Sequence, residues 1–394
     1  MVPLSRKVFA IALLAVSGGL LWYSIATYKL SGQNRLGDIS ARFFPEARIL
    51  NGHSRYLAHD LPGAAESYRQ AIFAGPSFVD AWIGLARTQI ADGQLDAARK
   101  TLNIISPTLA SISTWKWQEL LFAYDLQDEP SFEKCYNYIL SYLPHRTTDA
   151  SLLASKFWGG WGEVAPHVFS YNRPVLLSAL MDRQQVDAAV ALFEVMENEG
   201  SLREENDQLR LCDFLISNNR LKEAKAAWRL WRKKDSPLID DGRFERGPLN
   251  RAFGWRFKID PDVLVERGTG SPCRGNSCLH IHFKGSGNLN CDFASQIIPV
   301  KPETSYLLRY MQKSSGITTD RGVFLSVNGY KEGFPNIASE PALGDSPWKE
   351  EKVEFETPAG CEAIVLHVQR NESLKLDNKI SGDYWLDSVE LMEK

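Results

Sequence analysis

The 394-residue chain predicts three parts: an N-terminal transmembrane helix, an α-solenoid of helical repeats and a C-terminal antiparallel β-sandwich. Three observations predict this multidomain α and β architecture. An uncharged run fills residues 8–26. Small and aromatic residues recur at helical spacing from about residue 45 to 233. From about Leu238 the apolar period changes from 3.6 to 2. The assigned boundaries are 1–30, 45–233 and 238–394.

The run "VFAIALLAVSGGLLWYSIA" follows Arg6 and Lys7. As a helix rising ~1.5 Å per residue it spans roughly the hydrocarbon core of a bilayer. Trp22, Tyr23 and Tyr28 lie near its end, where an interfacial aromatic belt would sit. It reads as an uncleaved signal anchor. A signal peptide cut near Ser24-Ile25-Ala26 and a buried helix are the alternatives. Arg6 and Lys7 favour a cytoplasmic N-terminus with the body exported, whereas Lys29, Arg35 and Arg42 act against that orientation.

The net charge of -3 and the 44% hydrophobic and 24% charged residues are ordinary for a globular protein. They give no basic footprint for nucleic acid. Of the six cysteines, Cys135 and Cys212 stand far apart, and Cys273, Cys278, Cys291 and Cys361 lie in the last third. "CRGNSC" can close a small Cys273–Cys278 loop in an oxidising compartment. Buried free thiols are the alternative, and a lone C-x4-C falls short of a zinc site.

In the middle, Ala64, Tyr68 and Ala71 are four and three apart and share one helix face. Pro76 ends that helix. Trp82, Leu85 and Ala86 begin another, Asp92-Gly93 turns, and Ala98 and Leu102 continue on a partner helix. A pair of this kind cannot bury its own face and needs a stacked neighbour. The spacing resembles the tetratricopeptide repeat, whose unit of about 34 residues carries Trp, Leu-Gly, aromatic, Ala, aromatic, Ala and Pro in order. Ala64, Tyr68, Ala71 and Pro76 match its second half. Trp82, Leu85, Ala86, Gly93, Ala98 and Leu102 match the next unit, with Ala86 at the usual Gly. Fainter echoes follow at Leu120, Tyr124, Tyr136, Ile139 and Pro144, at Ala188 and Leu192, and at Leu211, Leu215, Ala224, Trp228 and Trp231. The resemblance implies a superhelix with a concave groove that docks a protein partner. "FWGGWGE", from Phe157 to Glu163, interrupts the pattern. It reads either as a loop that exposes two tryptophans or as a packed turn.

After the charged and Pro-containing "WRKKDSPLIDDG", seven β-rich runs follow: "CLHIHF", "SQIIPV", "SYLLRYMQ", "GVFLSVNGY", "KEEKVEFETP", "EAIVLHVQR" and "DYWLDSVEL". Turn residues separate them, which argues for a sandwich. The domain opens with Asp241-Gly242, Phe244 and Glu245 and closes with Tyr384, Leu386, Asp387, Val389 and Leu391. These motifs resemble carbohydrate-binding modules of families 4 and 9, and the whole segment follows their strand order. The resemblance implies a jelly roll, a glycan ligand and a structural calcium held by Glu245 and Asp387. Ser388 replaces the family's second acid, and calcium's six to eight oxygens would have to come partly from carbonyls and water. Trp348, Tyr306, Tyr310, Tyr330 and Phe334 are the candidate sugar platforms. His280 and His282 flank Ile281 and share a strand face, as a metal pair or as ordinary polar residues.

The chain carries no G-x-S-x-G, H-E-x-x-H, Walker or dinucleotide glycine motif. The expectation is a non-catalytic adaptor anchored in a bacterial inner membrane with its bulk in the periplasm. Its solenoid would dock a protein and its sandwich would touch a polysaccharide, as in exopolysaccharide or O-antigen assembly. A pure protein scaffold and a glycan-cleaving enzyme are the alternatives.

Overall fold

The computed structural model describes residues 45–232, 237–331, 334–376 and 378–394. The apolar run 8–26 lies outside them. Among the described residues no helix is long and apolar enough to cross a membrane. The chain divides into two compact units, Met1–Leu176 and Leu177–Lys394. The division does not coincide with the change from helix to strand. The last helices belong with the sandwich.

The first unit is built of helical hairpins: α1 (Pro45–Leu57) with α2 (Leu61–Ala74), α3 (Val79–Ala91) with α4 (Leu95–Ser111), and α5 (Lys116–Asp125) with α6 (Glu129–Tyr142), then α7 (Thr147–Phe157). Two starts have a side-chain cap. Asp60 caps α2 by accepting the Gly63 N–H at 3.0 Å, and Pro62 occupies its first turn. Asp128 caps α6 in the same way. Asp92-Gly93 turns between α3 and α4, with Gly93 at φ 74°.

The spacing of Ala64, Tyr68 and Ala71 now has its physical reason. All three are buried on α2, in one cluster with Ile49, Ala81 and Leu85. The Tyr68 ring lies in a notch made by Gly52 on α1 and Gly84 on α3. A Cβ there would stand 2.7 Å and 2.4 Å from the ring. The aromatic and the small residues are therefore one packing device joining two hairpins. Ala86, read from the sequence at the family's glycine position, packs instead in the next cluster with Ile83, Ile105, Leu109 and Phe122. Trp82 is half-buried and donates from Nε1 to the Pro76 carbonyl at 2.9 Å, which fixes the inter-repeat turn. Ala98 is fully buried.

After α7 regularity fails. Three short 3₁₀ turns, Trp161–Glu163, Ala165–His167 and Ser170–Asn172, take the place of a second helix. Within "FWGGWGE", Phe157 stacks on Phe132 at 4.1 Å and Trp158 lies parallel to His167 at 4.2 Å. Both tryptophans are half-buried, so the segment is a packed turn rather than an exposed loop.

Helix α8 (Arg173–Asp182) spans the division between units. The second unit continues with α9 (Val186–Glu199), α10 (Glu205–Ser217) and α11 (Leu221–Arg232). Leu192, Leu211, Leu215, Ala224 and Trp228 are buried there, whereas Ala188 and Trp231, read on the same repeat faces, are only half-buried. Two five-stranded antiparallel sheets follow. One runs in the order β1 (Arg256–Phe257), β4 (Cys291–Pro299), β9 (Ala363–Arg370), β6 (Phe324–Gly329), β7 (Ile337–Ala338). The other runs β2 (Val263–Thr269), β3 (Ser277–Lys284), β10 (Ser381–Glu393), β5 (Ser305–Ile317), β8 (Gly344–Glu356). The inner faces meet in a single core that includes Phe283, Phe293, Tyr306, Tyr310, Leu366 and Tyr384. The seven runs seen in the sequence are all strands. Strand β2 was not foreseen. It is an edge strand with exposed Leu264 and charged Glu266 and Arg267, so its alternation is faint.

The opening and closing motifs meet through backbone. Strand β10 bulges between Asp387 and Glu390, with Ser388 at φ 52°. The bulge lets the Val389 N–H bond the Gly242 carbonyl at 2.8 Å. A Cβ on Gly242 would lie 1.9 Å from the Val389 oxygen, so only glycine fits.

Candidate binding faces

Two faces present side chains that core packing does not consume. The first is the outer face of the β2-β3-β10-β5-β8 sheet. Alternation turns His280 and His282 outward on β3, Asp383 and Trp385 on β10, and Lys313 on β5. The registers place Trp385 opposite both His280 and Lys313, and Asp383 opposite His282. The His280 ring lies parallel to the Trp385 indole at 5.3 Å, and the Lys313 ammonium stands 5.1 Å from the indole centroid. Asp383 Oδ1 meets His280 Nε2 at 2.8 Å and His282 Nδ1 at 2.9 Å, and Glu266 reaches His280 Nδ1 at 3.2 Å. One carboxylate thus orients two imidazoles. Among the described residues no group of three or more His, Cys, Asp or Glu side chains is arranged to hold a metal ion. Trp385 is only 8% exposed beneath His280 and Lys313, so the accessible groups are His282 and Asp383, at 46% and 30%.

One end of that face is walled. Cys273 and Cys278 form a disulfide that closes residues 273–278, and Trp348 of β8 donates from Nε1 to the Pro272 carbonyl at 3.0 Å. Trp348 is half-buried and serves as the wall's anchor.

The other aromatics singled out in the sequence lie elsewhere. Tyr306 and Tyr310 are fully buried. The alternation of β5 turns them inward with Leu308, which removes both as sugar contacts; the Tyr306 hydroxyl accepts the Lys301 N–H at 2.9 Å. Tyr330, after β6, donates its hydroxyl to the Ile216 carbonyl on α10 at 3.3 Å, so it joins helix to sandwich. Phe334 stands edge-on to Phe355 at the core margin. Trp385, not among the aromatics singled out in the sequence, lies on the outer side of this sheet but is only 8% exposed, covered by His280 and Lys313.

The calcium expectation for Glu245 and Asp387 does not fit the geometry. Asp387 is buried, and its carboxylate accepts the Ser388 N–H at 2.5 Å; burial pushes its pKa up. Glu245 is exposed. The neighbouring acids are already engaged. Asp241 accepts the N–H groups of Glu245 and Arg246 at 2.9 Å each, and Asp240 pairs with Arg232 at 2.7 Å and Arg246 at 3.0 Å. Guanidinium groups balance the acids of this motif, and a dication would have to displace them.

The second face belongs to the first unit, where the leading helices of three hairpins carry polar residues in a row. Arg87 on α3 donates to Gln118 on α5 at 2.9 Å. Burial and the Arg87 charge lower the pKa of His53 on α1. Burial raises that of Asp125 on α5 while Arg87 opposes it. One cation on α3 thus acts on side chains of two other leading helices, α1 and α5.

The tetratricopeptide-repeat family model matches residues 56–111, which spans most of the first two hairpins. No curated protein matches the chain. Among solved structures, a carbohydrate-binding module described as "CBM4 structure and function" aligns at 14% identity and TM-score 0.31, over 40% of this chain and 99% of its own. A putative sugar binding protein from Bacteroides thetaiotaomicron VPI-5482 aligns at 13% identity and TM-score 0.31, over 40% and 100%. A family 16 carbohydrate-binding module aligns at 19% identity and TM-score 0.29, over 40% and 99%.

Proposed function

We propose that the chain is a non-catalytic adaptor whose repeats dock a protein and whose sandwich contacts a glycan. The observation that carries this reading is the outer sheet face. His282, Asp383 and Lys313 present an imidazole ring, a carboxylate and an ammonium group at fixed positions on strands, where contact with and hydrogen bonding to a sugar need them, and Trp385, only 8% exposed, packs beneath His280 and Lys313 as their support. The row around Arg87 supports the protein-docking half. The setting we propose is an anchor in a bacterial inner membrane through residues 8–26, with the bulk in the periplasm, serving exopolysaccharide or O-antigen assembly. A disulfide between Cys273 and Cys278 accords with an oxidising compartment.

A second reading has its own support. Arg251 meets Asp213 of α10 at 2.9 Å, the Ala252 N–H meets the same carboxylate at 2.6 Å, and Trp228 of α11 stands edge-on to Phe253. A sandwich used mainly to brace helices would make the chain a pure protein scaffold.

Calorimetric titration of the full chain with neutral and acidic bacterial polysaccharides separates the two. Binding by one glycan class, weakened at least about tenfold by Asp383→Ala or His282→Ala, is the expected result. Identical isotherms for wild type and both variants, or no heat from any glycan, would leave the scaffold reading standing.

A further inference from the structure

The loops at one end of the sandwich carry aliphatic side chains that nothing in the adaptor reading uses. Ile259 follows β1, and Leu374 and Leu376 lie between β9 and β10. They are 98%, 91% and 105% exposed. Single exposed leucines are ordinary on a surface. Three almost fully exposed aliphatics gathered at one end of one domain are not.

They sit on a tied platform. Asn288 and Ser373 exchange two hydrogen bonds of 2.9 Å, which joins the β3–β4 turn to the β9–β10 segment. The Ser373 hydroxyl reaches Asp320 at 2.6 Å. Arg370, fully buried, donates to the carbonyls of Arg321, Leu289 and Asn378 and so binds three loops at once. Ser286 meets Asp262 at 2.6 Å and Lys284 meets the Pro261 carbonyl at 2.6 Å, which brings in the segment that bears Ile259. The aliphatics project from a base whose polar groups are satisfied. Tyr330, which meets α10, follows the last residue of β6, at the opposite strand ends.

We infer that this loop end dips into a lipid bilayer at the headgroup–acyl boundary. Side chains exposed by more than nine-tenths make little contact with the protein beneath them, which suits a fluid that needs no matching shape. A protein partner would require a pocket for each, and protein interfaces are built around a continuous apolar centre with a polar rim. The charges beside the tips agree. Lys258 adjoins Ile259 and Lys375 stands between the two leucines. Both are long, 45% and 70% exposed, and paired with Asp260 at 3.8 Å and Asp320 at 3.3 Å. Such side chains can turn their ammonium groups to lipid phosphates as the aliphatics enter. Asp260, Asp262, Asp320 and Glu372 lie at the same end, so the aliphatic contact, rather than net charge, is the main attraction. Each inserted side chain should multiply the occupancy of the docked state by roughly tenfold.

The test uses the full chain reconstituted in vesicles of phosphatidylcholine with and without phosphatidylglycerol. An environment-sensitive fluorophore is attached to Leu376→Cys or, as a control on the sheet face, to Lys352→Cys. Identically treated wild type supplies the background. Quenching by doxyl-labelled lipid at 376 and by aqueous iodide at 352 is the expected pattern, in either vesicle type. Ile259→Ser with Leu374→Ser should cut the lipid quenching at 376 several-fold. Equal iodide quenching at both positions would overturn the inference. So would a label at 376 shielded from iodide yet untouched by doxyl lipid, which would assign the loops to a second copy or another protein.

Discussion

The first hairpins and the sandwich solve the same packing problem in opposite ways. Around α2 the apolar clusters are small and serial. Tyr68, Ala64, Ala71 and Leu85 form one, and Ala86, Ile105, Leu109 and Phe122 form the next. Residues within a cluster lie close in sequence. In the sandwich one core draws on both sheets, from Ile239 to Leu391. A repeat array made of neighbour contacts tolerates local loss, whereas a single core stands or falls together. The difference predicts how far damage spreads.

The largest effect should come from Gly242→Val. Its side chain would strike the Val389 carbonyl, which lies 1.9 Å from where even a Cβ would be. The backbone bridge between the two ends of the domain must then open. A loss of about 4 kcal/mol or more is expected, with hydrogen-exchange protection falling in both sheets together. Protection lost only in β10 would show that the core is less continuous than its contacts imply.

Tyr68→Ala should cost somewhat less, about 3 kcal/mol, through an unfilled notch between Gly52 and Gly84. The loss should be confined. Exchange should accelerate in α1 to α3 and stay unchanged in the sandwich strands. Acceleration throughout the chain would contradict the serial picture and make the repeats as cooperative as the sandwich.

The same contrast explains what was legible beforehand. The repeat pattern is local, so Ala64, Tyr68, Ala71 and Pro76 announced a helix and its end. Which glycine would receive the Tyr68 ring is a relation between hairpins, and Gly84 was hidden behind the family position at Ala86. In the sandwich, period-2 runs located seven strands, because alternation is also local. The direction in which a given aromatic points depends on register across strands. Tyr306 and Tyr310 were correctly placed on one face, but that face is the core. Trp385 lies between the motif positions Tyr384 and Leu386 on the opposite sheet face, and nothing local showed that His280 and Lys313 cover it. The His280–Asp383–His282 cluster joins residues about a hundred positions apart, and only His280 and His282 were close enough in sequence to be paired. The arginines at Asp240 come from α11 and from the opening loop, so no motif could set them against a calcium reading.

The smallest expected effect sharpens that last point, because it asks whether Asp240 is held mainly as a buried acid or as an ion-pair partner. Burial pushes its pKa from 3.8 up to about 6; Arg232 opposes the shift and Asp241 adds to it. The folded state then holds the proton more tightly than the unfolded chain. The stability contributed this way is complete below about 3.8 and is lost as pH rises through about 6. Asp241 is coupled to Asp240 and is itself pushed up to about 6 by burial, so the comparison is made in an Asp241→Asn background, where Asp240→Asn removes the remaining titrating acid. The Tm of the background minus that of the double variant should fall by a few degrees between pH 4 and 6.5 and level off above. A difference that grows with pH over the same window would mean that the pairs with Arg232 and Arg246 outweigh burial. The junction between the last repeat helix and the sandwich would then be held by charge rather than despite it.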